Sequence, residues 1–242
     1  MKFNSPSIDK QIAKDDYVVR SSPHSKERVN LHSYDLKNHV TIKKLIPLLT
    51  LIFISTSSLM GQIVDSNISL SEAIEGTTAP DSIIKELVIV DVEYFSTDSL
   101  LHRGQIVVTR KIEQEVRAIF EYIKEIKYPV ESVIPIKFDL PNGNTSMAGL
   151  NNTYSFHYRT KAGGSGNLSQ HSLGLAIDFN PFDNPYISKN GKVIPSGGTY
   201  DPSKREALTK ECDLVKKFIS LGWTWGGNWK GTKDYMHFER WF

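Results

Sequence analysis

Apolar residues change their spacing several times between Leu87 and the end of the chain, and each change predicts an element. LVIVDVEYF, Leu87–Phe95, is a β-branched and aromatic run of strand length. A turn around His102–Gly104 is expected to lead into a second strand, QIVVT, Gln105–Thr109. Ile112, Val116, Ile119, Phe120 and Ile123 then recur at helical spacing, predicting an amphipathic helix over 111–126 that Pro129 stops. VESVIPIKF, residues 130–138, is a further strand candidate, placed at an edge or bent because Pro135 has no N–H to give. Residues 142–168 are rich in Gly, Asn, Ser and Thr and read as a long functional loop. A second helix is predicted from Ser203, where Ser203–Glu206 has capping-box spacing behind Pro202. Ala207, Leu208, Leu214, Val215, Phe218 and Ile219 would be its buried stripe, with Gly222 as its stop. KDYMHFERWF, residues 233–242, alternates and predicts a strand reaching the end. Residues 85–242 should therefore form a single α+β domain, a small and mostly antiparallel sheet flanked by helices.

Upstream the pattern is different. KKLIPLLTLIFISTSSLMGQ, Lys43–Gln62, puts two lysines before an apolar run and small residues after it. That order predicts a secretory signal over 43–61, because the apolar run falls short of the roughly 20 residues a spanning helix needs. Residues 1–42 are polar, mixed in charge and aperiodic, and read as a disordered or mis-annotated extension, with translation expected to start near Val40. Residues 62–84 are polar and contain Pro80, and are expected to be a linker. An exported protein would sit in the periplasm or cell envelope, touching membrane only through an uncleaved signal. A monomer is expected.

Charge excludes one class of partner. The net +2 comes from residues 1–61, with nine basic and five acidic residues; residues 62–242 hold 20 basic and 22 acidic residues. With no basic stripe there, nucleic-acid binding is not expected. Cys212 is the single cysteine, so no internal disulfide can form.

SQHSLGLAIDFNP, Ser169–Pro181, carries the chemistry. Asp178 interrupts an apolar run, and a buried carboxylate needs a cationic partner or a metal. Gly174 permits a turn that could lay His171 over the strand holding Asp178, and an imidazole with a carboxylate makes two of the three protein ligands of an open zinc site. The segment KDYMHFE offers a third in His237, with Asp234 three residues before it. On an ideal strand those two would face opposite sides, so Asp234 is expected in a bend ahead of the strand. On the residues alone, a metal site and a set of unrelated core histidines both stand. His102 falls in the predicted turn and is expected in solvent. Trp223 reads as core, and Trp229 as a rim residue.

Together with GWTWGGNWKGTKDYMHFE, that segment closely resembles the peptidoglycan-cleaving zinc peptidases of the D-alanyl-D-alanine carboxypeptidase and L-alanyl-D-glutamate endopeptidase family. Ser169, His171, Gly174, Ala176 and Asp178 match its first block, and Trp229, Asp234, His237 and Phe238 its second. NTYSFHYR, residues 152–159, resembles the segment bearing the family's substrate arginine. The likeness covers about residues 88–242 and implies a hedgehog/DD-peptidase-like fold. It implies a Zn2+ cofactor on His171, Asp178 and His237, Asp234 as general base, and Arg159 at the scissile carbonyl of peptidoglycan stem peptides. Ser169, Trp229 and Tyr200 are expected to bind substrate or support the site. His157 departs from the small polar residue common at that position, and is read as packing the loop. A non-catalytic, hedgehog-like metal-containing binding module of the envelope is the alternative; the carboxylate at 234 speaks against it.

Overall fold

The computed structural model describes residues 61–136, 151–161 and 166–242. The expected extension, all of the signal segment but Gly61, and the loop residues 137–150 and 162–165 lie outside the described residues. Among the described residues no helix is long and apolar enough to cross a membrane.

The backbone of the domain is the antiparallel pair β2 (Leu87–Phe95) and β3 (Leu101–Thr109), joined over nine residue pairs from Leu87↔Thr109 to Phe95↔Leu101. Val90, Val92 and Tyr94 alternate into the core from β2, as a pleated strand requires. The turn lies earlier than the sequence suggested. Ser99 takes a left-handed conformation (φ 66°), and Asp98 Oδ1 accepts the Leu100 N–H, closing the hairpin over 96–100. His102 is consequently a strand residue and buried, not a solvated turn residue.

Most of β3 is buried on both faces, which a half-exposed strand would not be. Its outer face is covered by the segment expected to be a linker. There β1 (Ile63–Val64) pairs parallel with β3, and the short helices α1 (Leu70–Ala73) and α2 (Asp81–Ile84) follow. Ser69 and Glu72 form a capping box on α1. Ala73 and Ala79 pack with Leu87, Val107 and Phe156 in a second apolar cluster. Residues 62–84 are thus part of the fold: Ile68, Leu70, Ile74, Ile83 and Ile84 pack against that cluster, though polar residues scattered among them, and Pro80, made the stretch look like a linker.

Helix α3 (Glu113–Ile126), after a 3-10 turn at Arg110–Ile112, buries Val116, Ile119, Phe120 and Ile123 against the inner face of the hairpin. Left-handed Lys127 ends it ahead of Pro129. The strand candidate at 130–138 shrinks to β4 (Ser132–Val133), paired parallel with β5 (Asn152–Thr153).

The helix expected from Ser203 begins ten residues later, as α4 (Asp213–Ser220). The Ser203 hydroxyl donates to Asp201 Oδ1 at 2.6 Å instead of capping a helix. The carbonyls of Glu206 and Leu208 are taken by the hydroxyls of Tyr128 (2.6 Å) and Tyr200 (2.8 Å), and the Leu208 N–H by Asn184 (2.6 Å). With the Ser203 N–H, the Glu206 carbonyl and both backbone groups of Leu208 bonded to side chains, a helical ladder through 203–212 is interrupted.

Strands β6 (Ala176–Asp178), β9 (Thr224–Trp225) and β11 (His237–Glu239) form a sheet with β11 central and antiparallel to both neighbours. A separate sheet of β7 (Tyr186–Ile187), β8 (Val193–Ile194) and β10 (Lys233–Asp234) has β7 in the middle. The last segment is therefore two short strands in different sheets, ending at Glu239. One core joins these parts: Phe218 of α4 stacks on Phe238 at 4.0 Å, and Phe179 meets Phe120, Phe218 and Phe238. The architecture is α+β, with small, mostly antiparallel sheets flanked by helices.

Candidate metal centre

His171 lies in a 3-10 turn, Gln170–Leu173, which Ser169 opens by accepting the His171 N–H at 3.3 Å. Gly174 closes the turn in a left-handed conformation (φ 64°), and a Cβ there would stand 2.6 Å from Thr109 N and 2.9 Å from Val108 C. Only glycine both adopts that bend and lets the turn lie this close to β3. The chain then enters β6, whose Asp178 is the register partner of His237 on β11. Local turn and sheet register therefore converge on one point.

Three atoms meet there. Asp178 Oδ1 is 2.9 Å from His237 Nδ1 and 3.2 Å from His171 Nε2, and the two nitrogens are 3.2 Å apart. All three residues are buried, with His171 fully so. The other ring nitrogens are already committed. His171 Nδ1 donates to the Ser155 carbonyl at 2.6 Å, and His237 Nε2 faces Glu239 Oε2 at 3.3 Å. A carbonyl can only accept, so in the neutral ring His171 Nε2 carries its lone pair toward Asp178; the Glu239 carboxylate does the same for His237 Nδ1. Two lone pairs and a carboxylate oxygen facing one another at this range require a cation between them.

In the metal-free protein that cation is a proton. Burial alone would lower the His237 pKa, but hydrogen bonds to Asp178 and Glu239 overcome this and push it up to about 10. Burial lowers His171, leaving it neutral beside its protonated neighbour. Against the cost of burial, the two imidazoles hold Asp178 well below the usual carboxylate range. A divalent ion can replace the proton: tetrahedral zinc with bonds of about 2.0–2.1 Å spaces its ligands roughly 3.3 Å apart, close to the triangle observed. Both imidazoles also have the outer hydrogen-bond partner typical of metal-bound histidine. The residues fit a metal.

Asp234 stands beside the triangle on β10, opposite Tyr186. It occupies a strand, not the expected bend. The Tyr235–Met236 turn carries the chain from one sheet to the other, and so removes the strict alternation between 234 and 237. Its approach depends on Gly226, where a Cβ would fall 2.5 Å from Asp234 O and 2.8 Å from Asp234 Cβ. Asp234 Oδ1 is buried without a hydrogen-bond partner. Burial first, then the Asp178 charge, raise its pKa to about 7, against the pull of His237 and Arg159.

The backbone of Arg159 is pinned by the turn that carries His171: its N–H donates to Ser172 Oγ at 2.8 Å, and its carbonyl accepts the Ser169 N–H at 3.1 Å. The charge of its guanidinium bears on Tyr154, Asp234, His171 and His157. Burial and that charge push His157 down to about 4, so it is a neutral ring edge-on to Tyr154.

Trp229 lies half-buried with its ring centroid 5.5 Å from that of His237. Trp223 is core, its indole N–H donating to Glu115 at 2.6 Å. Tyr200 stacks flat on Tyr235 at 3.6 Å while its hydroxyl serves Leu208, which makes it a wall. Ser169 is spent as the cap of the His171 turn. Sequence reasoning missed Tyr154, Ser155 and Glu239, which orient the three inner side chains. Glu239 was visible in principle, two residues from His237, whereas Tyr154 and Ser155 reach the site only through the isolated bridge Tyr154↔Asp178.

Residues 162–240 match the family model described as D-alanyl-D-alanine carboxypeptidase. The peptidoglycan L-alanyl-D-glutamate endopeptidase CwlK of Bacillus subtilis (strain 168) is 36% identical over 86 residues, 34% of this chain and 47% of that protein. The chain spans about half the length of this curated relative. No solved structure matches the chain. The resemblance to this peptidase family read from the motifs thus holds across the segment that contains His171, Asp178, Asp234 and His237.

Proposed function

From a chain whose residues 162–240 fit the D-alanyl-D-alanine carboxypeptidase family, we propose an exported zinc metallopeptidase that hydrolyses peptide bonds in peptidoglycan stem peptides. The observation that carries it is the buried His171–Asp178–His237 triangle with an unpartnered carboxyl oxygen of Asp234 beside it. His171 through Nε2, His237 through Nδ1 and Asp178 through Oδ1 would hold the ion. When bound, zinc would supply Lewis acidity and lower the pKa of water towards neutrality.

The rest of the chemistry belongs to the chain. Asp234 takes the proton from the attacking water at its carboxylate and returns it to the nitrogen of the leaving amine. Its Oδ1, buried with no hydrogen-bond partner, is free for both tasks. Arg159 sets a guanidinium against the oxygen of the scissile carbonyl, where it stabilises the negative charge that develops there. Trp229, half-buried beside His237, gives one face of the cleft for the stem peptide.

Purified protein incubated with defined muropeptides and zinc tests this directly by mass spectrometry. Loss of a terminal D-Ala identifies a carboxypeptidase, and release of L-Ala-muramyl fragments an endopeptidase. No cleavage of either kind overturns the enzyme reading in favour of a metal-containing binding module. Export is tested separately: the mature N-terminus of the native protein should lie near Gln62.

A further inference from the structure

Asp178 has two oxygens, and the fold gives them different surroundings. Oδ1 faces both imidazoles, whereas Oδ2 accepts the phenolic O–H of Tyr154 at 2.6 Å. Tyr154 is held to this task by its backbone, which exchanges hydrogen bonds with Asp178 in both directions (3.1 and 2.9 Å). Its ring stacks on His171, centroids 5.1 Å apart and 23° from parallel. One buried side chain thus touches two members of the triangle.

We propose that Tyr154 is a positioning residue: by occupying Oδ2 it makes Asp178 a single-oxygen ligand. This rests on the metallopeptidase reading. A carboxylate free at both oxygens can close on an ion with both and take up a coordination position that substrate needs. With Oδ2 engaged by the phenol, Asp178 offers Oδ1 alone, and the position stays open.

Tyr154→Phe removes the phenolic oxygen and little else. Co2+ titrated into metal-free wild-type protein should give the intense visible bands of a four-coordinate ion. In the variant the bands should weaken towards five-coordinate intensity, and the affinity for Zn2+ and Co2+ should fall about 10–100-fold, as for other outer partners of metal ligands. On muropeptides kcat should fall, since a second Asp178 oxygen on the ion competes with substrate. Circular dichroism of the metal-free variant monitors the fold. Should the variant fail to fold, the wild-type cobalt spectrum still decides, because weak five-coordinate bands in wild type overturn the proposal. Unchanged affinity and spectrum in a folded variant overturn it as well, while leaving the metallopeptidase reading intact. Wild-type protein that binds neither ion overturns that reading, and this inference with it.

Discussion

Asp234 and His237 sit three residues apart and experience opposite pressures. Asp234 is raised to about 7 because its carboxylate is buried near Asp178, and folding consequently favours its protonated form. Its stabilising contribution is complete below the ordinary carboxylate pKa and is lost as pH rises through about 7. Asp234→Asn should therefore raise the melting temperature of the metal-free protein by ~3–6 °C at pH 8 and leave it unchanged near pH 3.5. The same substitution should leave zinc content near normal yet lower turnover by about 10²–10⁴-fold, the usual share of general acid–base catalysis. Wild-type turnover in the variant would remove Asp234 from the mechanism. His237 carries the proton that a metal must displace. Zinc uptake at pH 7 should release about one proton, and affinity should weaken roughly tenfold for each pH unit lowered below the His237 pKa. Calorimetry in two buffers of different ionisation enthalpy reads that proton; an equal heat in both would place the ion elsewhere.

Elements set these residues in place, and they differ in how far the sequence discloses them. Strand β2 and helix α3 were legible because each carries a strong local signal, a β-branched and aromatic run of strand length in one and a 3.6-residue stripe in the other. Helix α4 was misplaced because Ala207 and Leu208 are buried as a helical stripe would be, while Tyr128, Tyr200 and Asn184 take the backbone groups. No local pattern contains that information, since Tyr128 is 78 residues from its acceptor. His171, Asp178 and His237 could be named from their motifs, but the support from Tyr154 and Ser155 arises from strand pairing that short runs do not encode. Gly174 shows how an element controls the site without chemistry of its own. Gly174→Ala adds a Cβ in a left-handed conformation and drives it into β3. A loss of at least ~2 kcal/mol is expected in denaturant unfolding, together with weaker zinc binding as the His171 turn shifts. Gly226→Ala differs: it pushes against Asp234 from a separate 3-10 turn, so zinc should stay and turnover should fall. Equal effects of both on zinc affinity would contradict this division of labour.

At the scale of the molecule, the segment 61–84 is tied to the domain by a polar cluster as well as by apolar burial. His102 on β3 meets Asp65, just after β1, through Nδ1 at 2.9 Å and Asp98, in the hairpin turn, through Nε2 at 3.2 Å. Tyr94 of β2 donates to the same Asp65 carboxylate, stacks on the His102 ring, and accepts the Val133 N–H at 3.0 Å. Burial would lower the His102 pKa, but the two carboxylates outweigh it and raise it. A raised histidine contributes stability that is complete below its unfolded pKa and is lost as pH rises through its folded value. Metal-loaded wild-type protein should accordingly lose ~2–4 °C in melting temperature between pH 6 and pH 9 through this group. His102→Asn, uncharged throughout, should melt lower at pH 6 and fall by less across the same window; taking the difference between the two proteins cancels the contributions of the metal site. Removing residues 61–84 deletes Asp65 together with the apolar cover of Val107 and Leu87, and should cost ~3 kcal/mol or more. In that shortened protein the His102→Asn substitution should have almost no further pH-dependent effect, since the partner that spans the two parts has gone. A difference between the two pH slopes as large as in the full chain would mean that Asp98 alone holds the proton, and that the N-terminal segment is bound by its apolar contacts only.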